Sequence, residues 1–431
     1  MSKATIIATG DSFMTRRLPE NGYDGFEQIR EILSQYDVRF SNLEITTHDQ
    51  EGVPAAFSGG TWAMAEPEIL DDLKKYGFNL YNTANNHSLD YSHSGLLATI
   101  RHLRERDMIF AGTGKNMADA CAAAYVEAAD ARIAMIGVCS TFHDSDMAGN
   151  QSIELSGRPG LNGLRFQKTV HVEKSYYDML SKLSADTHLN AIYERNVQNG
   201  YARPMPEGKL YFDGMHFQLD ERNYITTEPN GKDMVRICSA IQEARRQADH
   251  VLVSVHSHEF AGTEPTEPAE FLKTFAHQCI DAGADAIIGH GPHELRGIEI
   301  YQNKPIFYSL GNFIFETDTV RVQPADAYEN ADMPNTTTVG AYIGMRNHNG
   351  TTGYIVQKNI WRSIMAGFTV ENGRICQIRL YPIDLHMEKP RARIGVPSIA
   401  ENDDVLEYLA ELSRPFGTEI RISNHMGMIE L

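Results

Sequence analysis

The chain has 431 residues, 42% hydrophobic and 22% charged, which suits a globular protein with a sizeable core in one large domain or two ordinary ones. A formal net charge of -18 argues against general nucleic-acid binding and against attraction to an anionic membrane. Five scattered cysteines with no Cys-x-x-Cys spacing read as free thiols of a reducing compartment.

Met1-Ser-Lys leads directly into Ala4-Thr-Ile-Ile-Ala-Thr9, an apolar run of strand length with no long leader and no cleavage site. No run of about 18 apolar residues follows anywhere. The expectation is a cytoplasmic protein with no membrane partner. The strand at 4–9 ends in Gly10-Asp11-Ser12, which puts a carboxylate just past a strand end. Residues 26–36 carry apolar positions at helical spacing, and 38–40 form a second strand leading to Ser41-Asn-Leu-Glu44. A helix at 67–76 begins at a proline and stops before Gly77. A strand at 78–81 then opens into Asn85-Asn86-His87-Ser-Leu-Asp90, followed by a helix from Gly95 to Arg106. Turn formers such as Asn and Asp also occupy such loops for backbone reasons alone. A strand at 108–111, a helix at 116–122 and a strand pair at 124–128 and 132–139 complete the first half.

The strand–helix rhythm implies a largely parallel sheet with helices outside. It breaks from 140 to 232, a stretch rich in Gly, Asn, Asp, Tyr and His with one helical pattern at 173–184. This length is an insertion that covers a site rather than a plain connection. The rhythm returns with a helix at 234–249 and a buried strand at 250–255 ending in His256-Ser-His258-Glu259. A helix at 268–282 and a strand at 285–288 lead to Gly289-His290-Gly-Pro-His293. A hairpin at 298–310, a polar loop-like cover at 317–352, a second hairpin around Glu371-Asn-Gly373 and a helix at 403–413 finish the chain.

The polar groups that follow the apolar strands are Asp11, Glu44, Asn86 with His87, His256 with His258, and His290 with His293. On an open α/β architecture such positions converge at one sheet edge, where ligands bind. Carboxylates, an amide oxygen and imidazoles are ligands for a hard-to-borderline divalent ion, and nitrogen and oxygen donors suit Mn, Fe and Zn about equally. Arg16 offers a cation for an anionic substrate group. Glu259 offers a carboxylate to orient a ligand histidine.

Taken together, Gly10-Asp-Ser-Phe-Met-Thr-Arg16, Ser41-Asn-Leu-Glu44, Ala84-Asn-Asn-His-Ser-Leu-Asp-Tyr91, Val253-Ser-Val-His-Ser-His-Glu259, Ile288-Gly-His-Gly-Pro-His293 and Tyr308-Ser-Leu-Gly-Asn-Phe313 resemble the CapA family. These proteins are associated with poly-γ-glutamate capsule synthesis and are related to calcineurin-like metallophosphoesterases. The resemblance implies a four-layer α/β/β/α sandwich over residues 1–385, interrupted by the insertion at 140–232 and the cover at 317–352. Residues 386–431 would be a C-terminal extension with one helix. It also implies two divalent metal ions. Glu44 would bridge them, Asn86, His256 and His290 would complete one site, and Asp11 and His293 would serve the other. His87 would be the general acid, with Asp90 as its orienting partner. Arg16, His258 and Glu259 would stand on the substrate side. A hydroxide activated by the metals would attack an amide, including a γ-glutamyl type, or a phosphoester in a small substrate. The alternative is a non-catalytic binding component of poly-γ-glutamate synthesis or export. A small-molecule partner is expected, and a homo-oligomer is left open.

Three positions depart from the pattern. Phe13 stands where the phosphoesterases often carry a histidine. Ser257-His258 replaces the usual Trp-Gly. Gly291 replaces a histidine between His290 and Pro292.

Overall fold

The computed structural model describes residues 2–431, which form a mixed α/β fold built on two large sheets. In the first sheet, Lys3–Phe13, Val38–Leu43, Leu80–Asn82 and Phe110–Ala111 run parallel in that order. On the far side of Lys3–Phe13 the sheet turns antiparallel, through Arg362–Glu371, Arg374–Asp384, Met426–Ile429 and Arg421–Ser423. Asn312–Phe315 adds in parallel to the end of the first strand. The second sheet is ordered Ala124–Glu127, Arg132–Cys139, His250–His256, Ala286–His290, Lys304–Leu310, Leu295–Tyr301, parallel at its centre and antiparallel at both edges. Both sheets are therefore mixed rather than largely parallel. The two hairpins, Ala124–Glu127 and the C-terminal strands supply the antiparallel members.

Strand alternation explains the packing. Ile6 and Ala8 point to a core shared with Leu252, Ile288 and Phe307 of the second sheet. Ile7 points the other way, onto Ile29 and Leu33 of the helix Phe26–Ser34 and Leu73 of the helix Ile69–Lys75. On the second sheet, Val253 and Ile287 face Ile237, Ile241 and Phe275 of the helices Gly231–Gln247 and Glu270–Ala282.

Three stretches differ from expectation. The insertion holds its own four-stranded sheet, ordered Lys209–Phe212, Met215–Leu219, Phe166–Val172, Tyr224–Pro229, with the helices Lys174–Thr187 and Ala191–Gln198. Its alternation is faint because few of its side chains are buried. The polar cover contains two short helices, Ala325–Glu329 and Val339–Arg346, seated on Trp62 and Tyr91 through Tyr328 and Tyr342. The C-terminal stretch carries the helix Asp404–Ser413 but also three strands of the first sheet, so it is stitched into the fold. No helix among the described residues is long and apolar enough to cross a membrane.

Register is what positions the site. Across the first sheet Asn312, Asp11, Asn42 and Asn82 fall in one row. Across the second, Cys139, His256 and His290 fall in another. The two rows face each other at the carboxyl ends of the strands.

Candidate metal centre

Asp11 reaches the cluster because Gly10 lets the first strand pass close to the next element. A Cβ at Gly10 would lie 1.7 Å from the Gly311 carbonyl oxygen, and the Asp11 amide donates to that same oxygen at 3.0 Å. The Asp11 carboxylate is fully buried and accepts from Asn42 Nδ2 at 2.7 Å and from the Gly291 amide at 2.9 Å. Its Oδ1 lies 3.4 Å from His290 Nδ1 and 3.7 Å from His256 Nδ1, and its Oδ2 lies 3.8 Å from His293 Nδ1. Burial alone would raise its pKa, but His290 and the other polar neighbours hold it below the ordinary value.

Glu44 is the opposite case. It is fully buried, and neither carboxylate oxygen has a hydrogen-bond partner. Its nearest groups are His256 Nε2 at 3.5 Å and His293 Nδ1 at 3.7 Å. Burial first, then Asp11 and Asp90, push its pKa well above the ordinary carboxyl range. An unpaired buried carboxylate is costly unless a cation or a proton compensates it.

The histidines crowd the same space. His256 Nδ1 lies 3.0 Å from His290 Nδ1, and His256 Nε2 lies 3.1 Å from His258 Nε2. Burial, reinforced by neighbouring imidazoles, pushes His256 and His258 well below the usual imidazole value, and burial lowers His293 too. They are thus neutral, the form that donates a lone pair to a metal. His290 Nε2 is tied to Ser254 Oγ at 2.7 Å, so Nδ1 faces the cluster. His293 sits at φ 61, a left-handed conformation that costs a non-glycine residue about 1–2 kcal/mol. Its Nδ1 lies 2.9 Å from Asn312 Oδ1, which fixes the ring.

Three overlapping triads place one ligand atom per residue within 4.8 Å of one another: Asp11, His256, His290; Glu44, His256, His258; and Asp11, Glu44, His293. Asn86 stands on the loop that carries His87. Its Nδ2 donates to the Gly59 carbonyl at 2.7 Å, while its Oδ1 is buried without a partner. A Cβ at Gly59 would lie 2.7 Å from the Asn86 backbone, so only glycine admits this contact. Orphaned carboxylate and amide oxygens beside neutral imidazoles are a donor set that fits divalent metal ions.

His87 stands beside this set and lines a cleft of about 300 Å³ above it. Its Nδ1 lies 2.7 Å from Asp90 Oδ2. Asp90 is itself held by the Ala63 amide at 2.7 Å and the Gly59 amide at 2.9 Å. The ring packs edge-on against Phe13 at 5.2 Å between centroids, so the phenyl occupies space where a histidine would add a ligand.

The remaining candidates separate. His258 borders the cleft and enters a ligand triad, so it stands with the cluster as well as on the substrate side. Glu259 is occupied elsewhere. It accepts from the hydroxyls of Ser140 at 2.7 Å, Ser257 at 2.9 Å and Thr141 at 3.0 Å, and it does not line the cleft. Arg16 pairs with Glu316 at 2.8 Å and donates to the carbonyls of Arg391 and Ile394, which turns it away from the cleft. Neither placement lets the residue meet a substrate there. The insertion at 140–232 contributes nothing to the cleft lining, and its tyrosines lie elsewhere; the wall comes from residues 317–357. Sequence reading also passed over Arg296. It is fully buried and donates to the carbonyls of Pro265, Ser257 and His258 at 2.9–3.3 Å, which pins the loop carrying His258. Burial pushes its pKa down to about 10. Its signal in the chain was a charged residue inside an apolar strand.

Residues 5–317 match the family described as bacterial capsule synthesis protein PGA_cap. Two uncharacterized proteins of Sinorhizobium fredii, y4sH and y4uA, are each 35% identical over 99% of this chain and 93% of their own length. The capsule biosynthesis protein CapA of Bacillus anthracis is 26% identical over 74% of this chain and 62% of its own. A crystal structure of a hypothetical protein from Thermus thermophilus aligns over 88% of this chain and 99% of its own, with a TM-score of 0.40 and 12% identity.

Proposed function

The chain belongs to the bacterial capsule synthesis protein PGA_cap family, and from that premise we propose that it is a metal-dependent hydrolase. The observation that carries this reading is the pair of unpartnered Glu44 oxygens, buried 3.5 Å from His256 and 3.7 Å from His293, two imidazoles whose pKa burial lowers. In this reading the fold is the four-layer sandwich of the metallophosphoesterases and two metal ions are held. Asp11, Glu44, His256, His290 and His293 would hold them, with Asn86 as a further oxygen donor and His258 as a further imidazole beside Glu44 and His256. Divalent ions held there would supply Lewis acidity and lower the pKa of water to near neutrality.

The chain's own residues do the rest. Asp90, fixed by two backbone amides, holds the His87 ring through Nδ1. That leaves Nε2 to protonate a departing amine or alkoxide in the cleft. Burial excludes bulk water from Asp11, Glu44, His256 and His290, which strengthens every charge interaction there. The bond cleaved is an amide, including a γ-glutamyl type, or a phosphoester. A cleft of about 300 Å³ suits a small substrate.

A non-catalytic role in making or exporting poly-γ-glutamate is the second reading, favoured by the name of the Bacillus anthracis relative. Metal analysis of the purified protein, with assays on phosphoester and amide panels, separates the two. The hydrolase reading expects bound transition metal and turnover that His87→Ala slows. A protein that carries no metal, gains none on incubation and is indifferent to His87→Ala is no hydrolase.

A further inference from the structure

The wall of the cleft opposite the cluster comes from residues 317–357, almost all beyond the residues that match the family. It mixes apolar side chains such as Val320, Ile343 and Tyr354 with polar ones such as Gln323 and Asn347. One cation interrupts it. Among the described residues Arg346, the last residue of the helix Val339–Arg346, is the sole lysine or arginine lining the cleft. It is exposed and has no ion-pair partner among the described residues. Its guanidinium carbon lies 5.8 Å from the Tyr342 ring centroid. On the same wall lies Asp318, whose carboxyl feels both Arg391 and Arg346. Burial raises the pKa of that carboxyl, and the two guanidiniums lower it. Arg16, the cation expected from the sequence to hold an anion, is already committed to Glu316.

We propose that Arg346 anchors an anionic group of the substrate, a carboxylate or a phosphate separate from the group attacked at the cluster. The argument is geometric and chemical. His87 and Arg346 border the same cleft of about 300 Å³, so a small molecule spans both. A planar guanidinium offers a bidentate fork to either anion. Its unpaired state means that no internal ion pair has to be broken for binding. Arg346 is thus a specificity-determining residue. It selects acid-bearing amides or phosphoesters over neutral ones, and does so from a segment outside the matched family region. The proposal rests on the hydrolase reading for the location of the reacting group.

Two non-hydrolysable probes test it: phenylphosphonate and 4-carboxyphenylphosphonate, which differ only in the carboxylate. Each is titrated by calorimetry into Mn²⁺-loaded protein at low salt. The carboxylated probe is expected to bind at least about tenfold tighter, the worth of one charge-assisted hydrogen bond. Arg346→Gln should erase that advantage and leave phenylphosphonate unchanged, and Arg346→Lys should restore part of it. Added salt should shrink the advantage, since Arg346 is exposed. Equal binding of the two probes by the parent protein overturns the proposal alone. So does an advantage that survives Arg346→Gln. If neither probe binds, this proposal falls, while the hydrolase reading stands or falls on the metal analysis and the His87→Ala turnover assay.

Discussion

The floor and the roof of the cleft are built by different physics. The floor is made of side chains at strand ends, locked by sheet register and buried: Asp11, Glu44, His256 and His290 have no exposure at all. Each has its position set by hydrogen bonds of the backbone ladder, the rigid support that a ligand constellation needs. The roof is made of residues 317–357, two short helices and loops, with Arg346 and Tyr354 largely exposed. The floor lies within the family match and the roof almost wholly outside it. A rigid floor preserves chemistry, while a loosely held roof lets substrate choice change without disturbing it.

Substitutions on the two surfaces should therefore differ in kind. The largest effect is expected from Glu44→Gln, which removes the charge between the ligand triads. Metal content, read by elemental analysis, should collapse and turnover with it. Thermal melting of the metal-free protein should rise by a few degrees, because an unpaired buried carboxylate has been removed. A melting point that falls, with metal retained, would contradict the fit of Glu44 to a cation.

His87→Ala should come next, with turnover lowered about 10²–10⁴-fold and metal content unchanged. Loss of metal in that variant would place His87 among the ligands instead. Ser254→Ala frees His290 Nε2 and should weaken metal binding by about 10–100-fold, measured by competition with a chelator. Asn86→Ala should weaken metal binding by at least as much, since its Oδ1 is a candidate ligand rather than a support. The roof should give the smallest change. Tyr354 packs edge-on against His293 at 5.4 Å, and Tyr354→Ala should raise KM with kcat and metal content unchanged. A fall in kcat there would mean that the roof holds the floor in place, and the contrast between them would be lost.

Much of the floor was legible in the chain. Apolar runs such as Val251-Leu-Val-Ser-Val255, each followed by a polar or charged group, mark strands and strand ends together. The turn at Asn372-Gly373 announced its hairpin, because both residues take positive φ, 52° and 75°. The insertion's sheet was hidden, since strands such as Lys209–Phe212 bury little and show no clean alternation. The polar cover read as loop because its helices are one or two turns long. Arg16 and Glu259 looked like substrate contacts, having the right charge near the right strands. What occupies them, Glu316 from 300 residues away and three hydroxyls from two loops, leaves no mark in local sequence.

The sequence by itself determined which residue types stand at the strand ends, and with them the family. Period-two burial forces polar groups out of the strand and onto its end, and this is written locally. Only the tertiary structure decided which of those groups meet. Register set Asp11 beside Asn42 and His256 beside His290, left Glu44 and the Asn86 oxygen without partners, and spent Arg16 and Glu259 on structure. It also placed Arg346, near no motif, across the cleft from His87. Such pairings depend on how distant segments pack, and packing is a property of the whole chain rather than of any stretch of it.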